Sequence, residues 1–396
     1  MYDVIIVGAR CAGSPTAMLL ARKGYRVLLV DRTAFPDDAI STHIIWPPGV
    51  TRLRRWGLLD AVAASGCPPI RRVSFDVGEF ALVGTPPPHD GGSDTFAPRR
   101  TVLDAILVNA AAGAGAELRE HFAVQDLVTQ DGRVVGIRGH RAAGTTVTES
   151  ARLVVGADGV HSVVARAVGA ASYDAKPPLT CWYYSYWSDF PTDGVEYYSR
   201  PGRVFGAIPT NDGRACVPVA WTRAEFPAFR ADIETNYLQT LGLAPSFADR
   251  ARRATRQERF YGTVEVPNYF RQSHGPGWAL VGDAGYHKDP ITAQGISDAF
   301  TAAELLVDAI DDGFAGRRPL DAALADYQRQ RDAALPMYDF TCQLAALEPP
   351  PPDMQALFGA LRHNQQESDR FFGALAGTVP IPDFFTAENR TRLTQP

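Results

Sequence analysis

The chain has 396 residues, enough for two or three domains at roughly 100–200 residues each and for a large core without disulfide or metal staples. Apolar residues make up 45% and charged residues 21%, which excludes a disordered or membrane-embedded chain. A net charge of −5 argues against nucleic acid or an anionic membrane surface as the main partner.

The five cysteines are scattered with no C-x-x-C pair, and the eight histidines show no metal-ligand spacing, so neither a disulfide framework nor a metal site is expected. Lys23, Lys176 and Lys288 are the only lysines, and arginine supplies the remaining positive charge. No apolar run approaches the roughly 18 residues of a membrane span. The start lacks a basic region, and Arg10 interrupts any signal-like apolar stretch. The expectation is a cytoplasmic, reduced, multi-domain protein.

In chain order, Val4 to Val7 is a short apolar run closed by Gly8, as a strand buried on both faces requires. Ser14 to Lys23 reads as a helix stopped by Gly24, and Val27 to Val30 as the next buried strand, giving a β-α-β unit. From Arg71 to about Phe96, alternating residues and proline turns predict antiparallel strands. A helix is expected over Val102 to Ala112, a hairpin around Asp131-Gly132, and a strand over Arg152 to Gly156. Trp182 to Trp221, dense in aromatics, predicts a second sheet. Ala279 to Gly282 is another buried strand, with a helix from about Gln294 to Asp311 after it. Pro349 to Pro352 breaks the chain before a final helical segment.

Three motifs carry chemistry. Gly8-Ala9-Arg10-Cys11-Ala12-Gly13 lies between strand and helix, where glycines permit a tight turn and free N–H groups face an anion. Arg10 replaces the second glycine of the usual pattern, and an arginine there can reach a phosphate oxygen. Asp31, followed by Arg32 and 23 residues after Gly8, closes the second strand where an acid accepts hydrogen bonds from a ribose. The plain alternative is a tight turn with no nucleotide. The second motif is Gly156-Ala157-Asp158-Gly159. The third is Gly282-Asp283-Ala284-Gly285, continuing through Pro290 to Gln294-Gly295-Ile296. Both follow apolar strands, at the strand ends where open α/β sheets bind ligands.

These motifs, together with Arg99-Arg100-Thr101-Val102-Leu103-Asp104, resemble those of the group A flavoprotein monooxygenases, the para-hydroxybenzoate hydroxylase type, over roughly residues 1–330. The resemblance implies an α/β fold: a doubly wound FAD domain (1–70, 98–172 and 265–345), an inserted antiparallel substrate sheet (71–97 and 173–264), and a C-terminal helical segment (346–396). It implies that Gly8, Arg10, Cys11, Ala12 and Gly13 cradle the FAD pyrophosphate. Asp31 and Arg32 would meet the adenosine ribose, and Arg100 the flavin side chain or phosphates. Asp158 would serve FAD and NAD(P)H, and Gly282 and Asp283 the pyrophosphate–ribityl region. His43 would approach the flavin, and Pro290 would pack over its reactive edge. Gln294, Gly295 and Ile296 open a helix whose positive end stabilises negative charge on reduced flavin. Two departures concern neighbours of these motifs: Gly285-Tyr286-His287 replaces an alanine-histidine pair, and Arg166 lies one place past the arginine expected after Ser162.

On the substrate side, Tyr184, Tyr186, Phe205 and Trp221 are candidate pocket residues, with sheet core as the alternative for each. Tyr184 and Tyr186 share one face of a strand, Tyr183 and Trp187 the other. His287 is a candidate base toward a phenol, its plain alternative being an exposed loop histidine. The resemblance implies an NAD(P)H-consuming monooxygenase that hydroxylates a small aromatic or electron-rich molecule with O2 through a flavin C4a-hydroperoxide. The C-terminal segment would cover the pocket or form a homodimer contact. FAD-dependent reductases of prenyl chains share the FAD domain and form the second reading. Flavin-dependent halogenases require a lysine after the fingerprint and a W-x-W-x-I-P motif, and neither is present.

Overall fold

The computed structural model describes residues 1–141 and 144–394. Tyr2–Val7 forms the middle of a parallel sheet because its side chains are apolar on both faces and buried on both. It pairs with Val27–Val30 on one side and with the second half of Thr146–Gly156 on the other. Glu117–Arg119 and Trp278–Leu280 extend the sheet on its two sides in parallel, and His274–Gly275 adds a short antiparallel edge beyond the latter.

Helices Gly13–Arg22, Arg100–Gly113 and Gly295–Phe314 cover one face, burying Ala17, Leu103, Phe300 and Leu306 against Val4, Ile6, Leu29 and Val155. The other face is covered by a three-stranded antiparallel meander, where double winding predicts helices. Phe122–Gln130, Arg133–Arg141 and the first half of Thr146–Gly156 pair in turn, placing Phe122, Leu127 and Ile137 over Ile5, Leu28 and Val154. The hairpin at Asp131-Gly132 turns with both residues at positive φ (50° and 75°), the conformation that a two-residue turn of this kind demands.

The second sheet runs in the order Thr255–Arg256, Thr180–Ser188, Ala215–Thr222, Arg203–Pro209, Gly194–Arg200, Arg72–Asp76 and Ala81–Gly84. Tyr261–Thr263 also pairs with Thr180–Ser188. Its strands bury both faces. Helices between Phe226 and Arg253 cover the outer face through Phe229, Tyr237 and Phe247. The inner face meets Ile44, Trp46 and Ala293 of segments flanking the first sheet, and Leu357, Phe358, Phe371, Phe372 and Phe384 of the C-terminal helices. A third, small sheet of Ser172–Lys176, Asn268–Arg271 and Tyr286–His287 links the two halves.

Candidate cofactor and substrate site

The turn after the first strand places Gly8 at φ +101°, a conformation that side chains with a Cβ rarely adopt. A Cβ on Gly13 would stand 1.8 Å from the Gly8 carbonyl oxygen, so both glycines are dictated by the close turn. Asp31 reaches back to this turn. One carboxylate oxygen accepts the Ala9 N–H at 2.7 Å, and the other accepts the Thr33 N–H at 2.9 Å. Arg32 is exposed beside it.

Asp104 gathers three of the expected cofactor residues. It accepts a hydrogen bond from Arg10 at 2.9 Å and paired hydrogen bonds from Arg100 at 2.9 and 3.0 Å, with the Cys11 thiol at 3.4 Å. Arg10 also pairs with Asp37 and lies over the Phe35 ring. Burial pushes the Cys11 thiol well above its ordinary range, so it is a packed, neutral group and not a nucleophile. Asp104 closes the Arg99–Asp104 motif but carried no role in the sequence reading, although its spacing of four from Arg100 on one helix was the available signal.

The remaining motifs converge on the same edge of the sheet. Gly282, at φ +61°, packs against Ala12, since a Cβ there would meet the Ala12 side chain at 2.6 Å. Asp283 is exposed at the start of this turn. Gly295 opens the 20-residue helix with open space where a Cβ would stand, and the first intrahelical bond runs from the Asp298 N–H to the Gln294 carbonyl. The N–H groups of Gly295, Ile296 and Ser297 are therefore left for a ligand. Ile296 itself packs into the core, and the Gln294 side chain is tied to the Leu375 carbonyl of the C-terminal segment. Asp158 is engaged locally: it accepts from Ser162 at 2.5 Å and from the Val163 N–H at 2.6 Å, closing the turn before a short helix.

Pro290 begins a tight turn held from three sides. Asp289 accepts the Ile291 N–H at 3.0 Å and the Thr180 hydroxyl of the second sheet, and the Trp46 indole donates to the Thr292 carbonyl at 3.1 Å. Burial raises the Asp289 carboxyl to about 6.

His43, wholly buried, places its Nε2 2.7 Å from the Tyr186 hydroxyl. Tyr184 and Tyr186 lie edge-on to its ring at centroid distances of 5.8 and 5.6 Å, and Tyr261 stacks on Tyr184 at 5.3 Å. The Arg99 guanidinium covers the Tyr186 ring at 4.1 Å and is held by a forked pair to Glu258 at 2.5 and 3.2 Å. Burial, then the positive charges of Arg100 and Arg99, pull the His43 imidazole down to about 3, so it is neutral at physiological pH.

Two expectations for the substrate face are corrected. Phe205 and Trp221 point to the outer face, packed with Tyr183, Phe229 and Phe247 beneath the helices. The reason is register: Cys181 pairs with Trp221 and Tyr183 with Val219, which puts Trp221 on the opposite side from Tyr184 and Tyr186. His287 lies in the small third sheet, its Nδ1 donating to the Pro267 carbonyl and its ring stacked on Tyr269. Its contacts are with Pro267 and Tyr269, away from Tyr184 and Tyr186.

The site fits FAD: a tight glycine turn with an acid closing the next strand, two arginines beside it, and a free helix start with space above Gly295. Gly8 to Gly13, Asp31, Arg100 and Gly295 would hold it. Residues 1–335 match the family model for the FAD binding domain. The chain belongs to the FAD binding domain family. This flavoprotein is an FAD-dependent oxidoreductase by that membership. It is 28% identical over 317 residues to a digeranylgeranylglycerophospholipid reductase of Methanocella arvoryzae, covering 77% of this chain and 76% of that one. Among solved structures, it superposes on the myxobacterial chondrochloren halogenase with a TM-score of 0.81 at 23% identity, covering 99% and 95% of the two chains. It superposes on a probable FAD-dependent monooxygenase from Pseudomonas aeruginosa with a TM-score of 0.73 at 22% identity, covering 93% and 98%. At such identities the likeness establishes the fold. Among the described residues, no helix is long and apolar enough to cross a membrane, and no cluster of three or more metal-ligating side chains occurs.

Proposed function

We propose that this flavoprotein is an NAD(P)H-consuming monooxygenase that hydroxylates a small aromatic or other electron-rich molecule. The observation that carries this reading is the chemistry of the inner face beside the FAD motifs: Tyr184, Tyr186 and Tyr261 around His43, with the Arg99–Glu258 pair behind them. Flat rings with hydroxyl tips suit a flat substrate that bears a polar group, because they stack on its faces and hydrogen-bond its edge. The reaction consumes one NAD(P)H, one proton and one O2 for each hydroxylated product and water.

FAD supplies the two-electron chemistry and the activation of oxygen when bound. The chain's own residues bind and orient it, and the C-terminal phenylalanines exclude water from the tyrosine face. Pro290 would pack at the flavin edge. The Asp289 contact to Thr180 fixes that turn against the substrate sheet.

The relatives named as digeranylgeranylglycerophospholipid reductases favour the second reading, hydrogenation of a prenyl chain. NADH and NADPH oxidation by the FAD-loaded protein, with phenols, aryl acids, indoles and polyprenyl compounds, separates the two. Stimulation with a product heavier by one oxygen atom supports the monooxygenase. A gain of two hydrogens without oxygen uptake overturns it in favour of the reductase.

A further inference from the structure

We infer that Tyr269, Arg271 and Arg331, none of them in a cofactor motif, are positioning residues that clamp the turn Gly282–Gly285 and present Asp283 to FAD in a fixed direction, and that Gly285 is glycine because the Arg331 guanidinium fills the place of its Cβ. The clamp serves a hydroxylase or a reductase alike, since it acts on the cofactor turn and not on the substrate.

Three consecutive carbonyls of the turn are each gripped by a side chain from outside it. The Tyr269 hydroxyl donates to the Asp283 carbonyl at 2.6 Å, the Arg271 guanidinium to the Ala284 carbonyl at 3.0 Å, and the Arg331 guanidinium to the Gly285 carbonyl at 2.9 Å. The Arg271 backbone N–H adds a second bond to the Gly285 carbonyl at 2.8 Å. Tyr269 and Arg271 belong to the strand Asn268–Arg271 and Arg331 to the helix Leu320–Ala334, so two separate elements hold one short turn.

Asp283 is the exposed residue of this turn, and the peptides on both sides of it are fixed. The Gly282 carbonyl accepts the Gly285 N–H at 2.9 Å, and in a planar trans peptide this turns the Asp283 N–H the opposite way. That N–H has no backbone acceptor among the described residues. On the other side, Tyr269 sets the direction of the Asp283 carbonyl. The residue is therefore ordered before a ligand arrives, which lowers the cost of ordering it on binding.

Arg331 accounts for Gly285, which replaces the alanine of the resembled motif. Arg331 is 1% exposed and engaged at every nitrogen: it donates to Asp332 at 2.8 and 2.6 Å, to the Tyr173 hydroxyl at 2.8 Å and to the Ser273 hydroxyl. A Cβ on Gly285 would stand 2.9 Å from Nη1 of Arg331 and 3.0 Å from the Ser273 hydroxyl oxygen. The guanidinium cannot swing aside without giving up those bonds, so an alanine at 285 displaces the turn or breaks the clamp.

The test is a double-mutant cycle on Gly285→Ala and Arg331→Gln, with Tyr269→Phe beside it. FAD affinity is read by quenching of flavin fluorescence, apoprotein stability by urea unfolding, and the bound pyrophosphate by phosphorus NMR, with no substrate or nicotinamide present. Gly285→Ala and Arg331→Gln should each weaken FAD binding about tenfold and displace the phosphorus resonances. Gly285→Ala added to Arg331→Gln should cost less than about twofold more, because the space is then open. Tyr269→Phe keeps its ring against His287 and Arg271, leaves the buried guanidinium in place, and should weaken FAD binding about fivefold with the same displacement of resonances. If Arg331→Gln does not fold, Gly285→Ala and Tyr269→Phe decide alone. Additive losses in the double variant overturn the matching of Gly285 with Arg331. Lower apoprotein stability with unchanged FAD affinity and unchanged phosphorus resonances makes the clamp a packing feature and overturns the positioning role. Unchanged FAD affinity in Asp283→Asn takes the turn out of the cofactor site and overturns the inference as a whole. None of these readouts requires turnover, so failure of the monooxygenase reading leaves them intact.

Discussion

The Thr180 hydroxyl donates to the Asp289 carboxylate, a contact between residues 109 apart in sequence that fastens the substrate sheet to the turn carrying Pro290. Trp182, two residues along the same strand, packs on Ile291 of that turn. The strand Thr180–Ser188 and the Pro290 turn are thus joined by one buried polar and one apolar contact.

Asp289 also predicts a pH dependence. Its folded value of about 6 lies above its ordinary 3.8, so the folded state holds the proton more tightly than the unfolded chain. The resulting stability is full below pH 4, declines as pH rises through about 6, and is absent above it. Asp289→Asn keeps the shape and removes the titration. Between pH 4 and 7 the variant should gain about 2–3 kcal/mol relative to wild type in urea unfolding. A constant difference across that range would show that Asp289 does not titrate as described.

Gly295 separates folding from cofactor binding. A methyl group there meets no protein atom, and alanine suits a first helical turn. Gly295→Ala should match or exceed wild-type apoprotein stability by up to about 1 kcal/mol, while FAD affinity, read by quenching of flavin fluorescence, falls at least tenfold. Unchanged FAD affinity would remove the close approach argued for this helix start.

Asp31 joins the two N-terminal strands' ends through Ala9 and Thr33. Asp31→Ala loses these charge-assisted bonds and the ribose acceptor, about 1.5–3 kcal/mol for each charged hydrogen bond. FAD affinity should fall by one to two orders of magnitude. Refolding with excess FAD should recover the absorption spectrum, which a collapsed turn would not allow.

Tyr186 and Trp221 give a paired comparison on opposite faces of one sheet. Tyr186→Phe should reduce substrate-stimulated NAD(P)H oxidation by about tenfold and cost about 1–2 kcal/mol through the unpaired His43. Trp221→Phe should leave stimulated oxidation within about twofold, with its cost confined to stability, because its indole donates to Thr240 beneath the outer helices. Equal losses of turnover in the two variants would contradict the assignment of faces.

Much of the cofactor half was legible in the sequence because its signals are local. Gly8, Gly13, Asp31 and Gly295 sit at strand ends and helix starts, where backbone geometry restricts residue choice. The substrate side was less legible. Alternation put Tyr184 and Tyr186 on one face, yet placing Phe205 and Trp221 required the register of three strands, Thr180–Ser188, Arg203–Pro209 and Ala215–Thr222, which no local pattern encodes. Tyr261 and Glu258 were missed for the same reason, and Arg99, although part of the quoted motif, was not placed beside Tyr186. The Phe371 and Phe358 cluster lay in a segment with helical character and no motif, so its partner could be read only from packing.

The inner face bearing Tyr184 and Tyr186 is roofed by helices from the last tenth of the chain, and the central parallel sheet awaits Trp278–Leu280 for its outer strand. On the ribosome, the dinucleotide turn emerges long before Trp278–Leu280 and Gly295–Phe314, so many stabilising contacts join residues made far apart in time. Until Phe371 and Phe384 have left the exit tunnel, a broad aromatic surface stays open to solvent. The interval between synthesis of Tyr184 and of Phe384 is therefore one of exposure to aggregation, and a stop codon near residue 350 would be expected to leave insoluble product rather than a shortened flavoprotein.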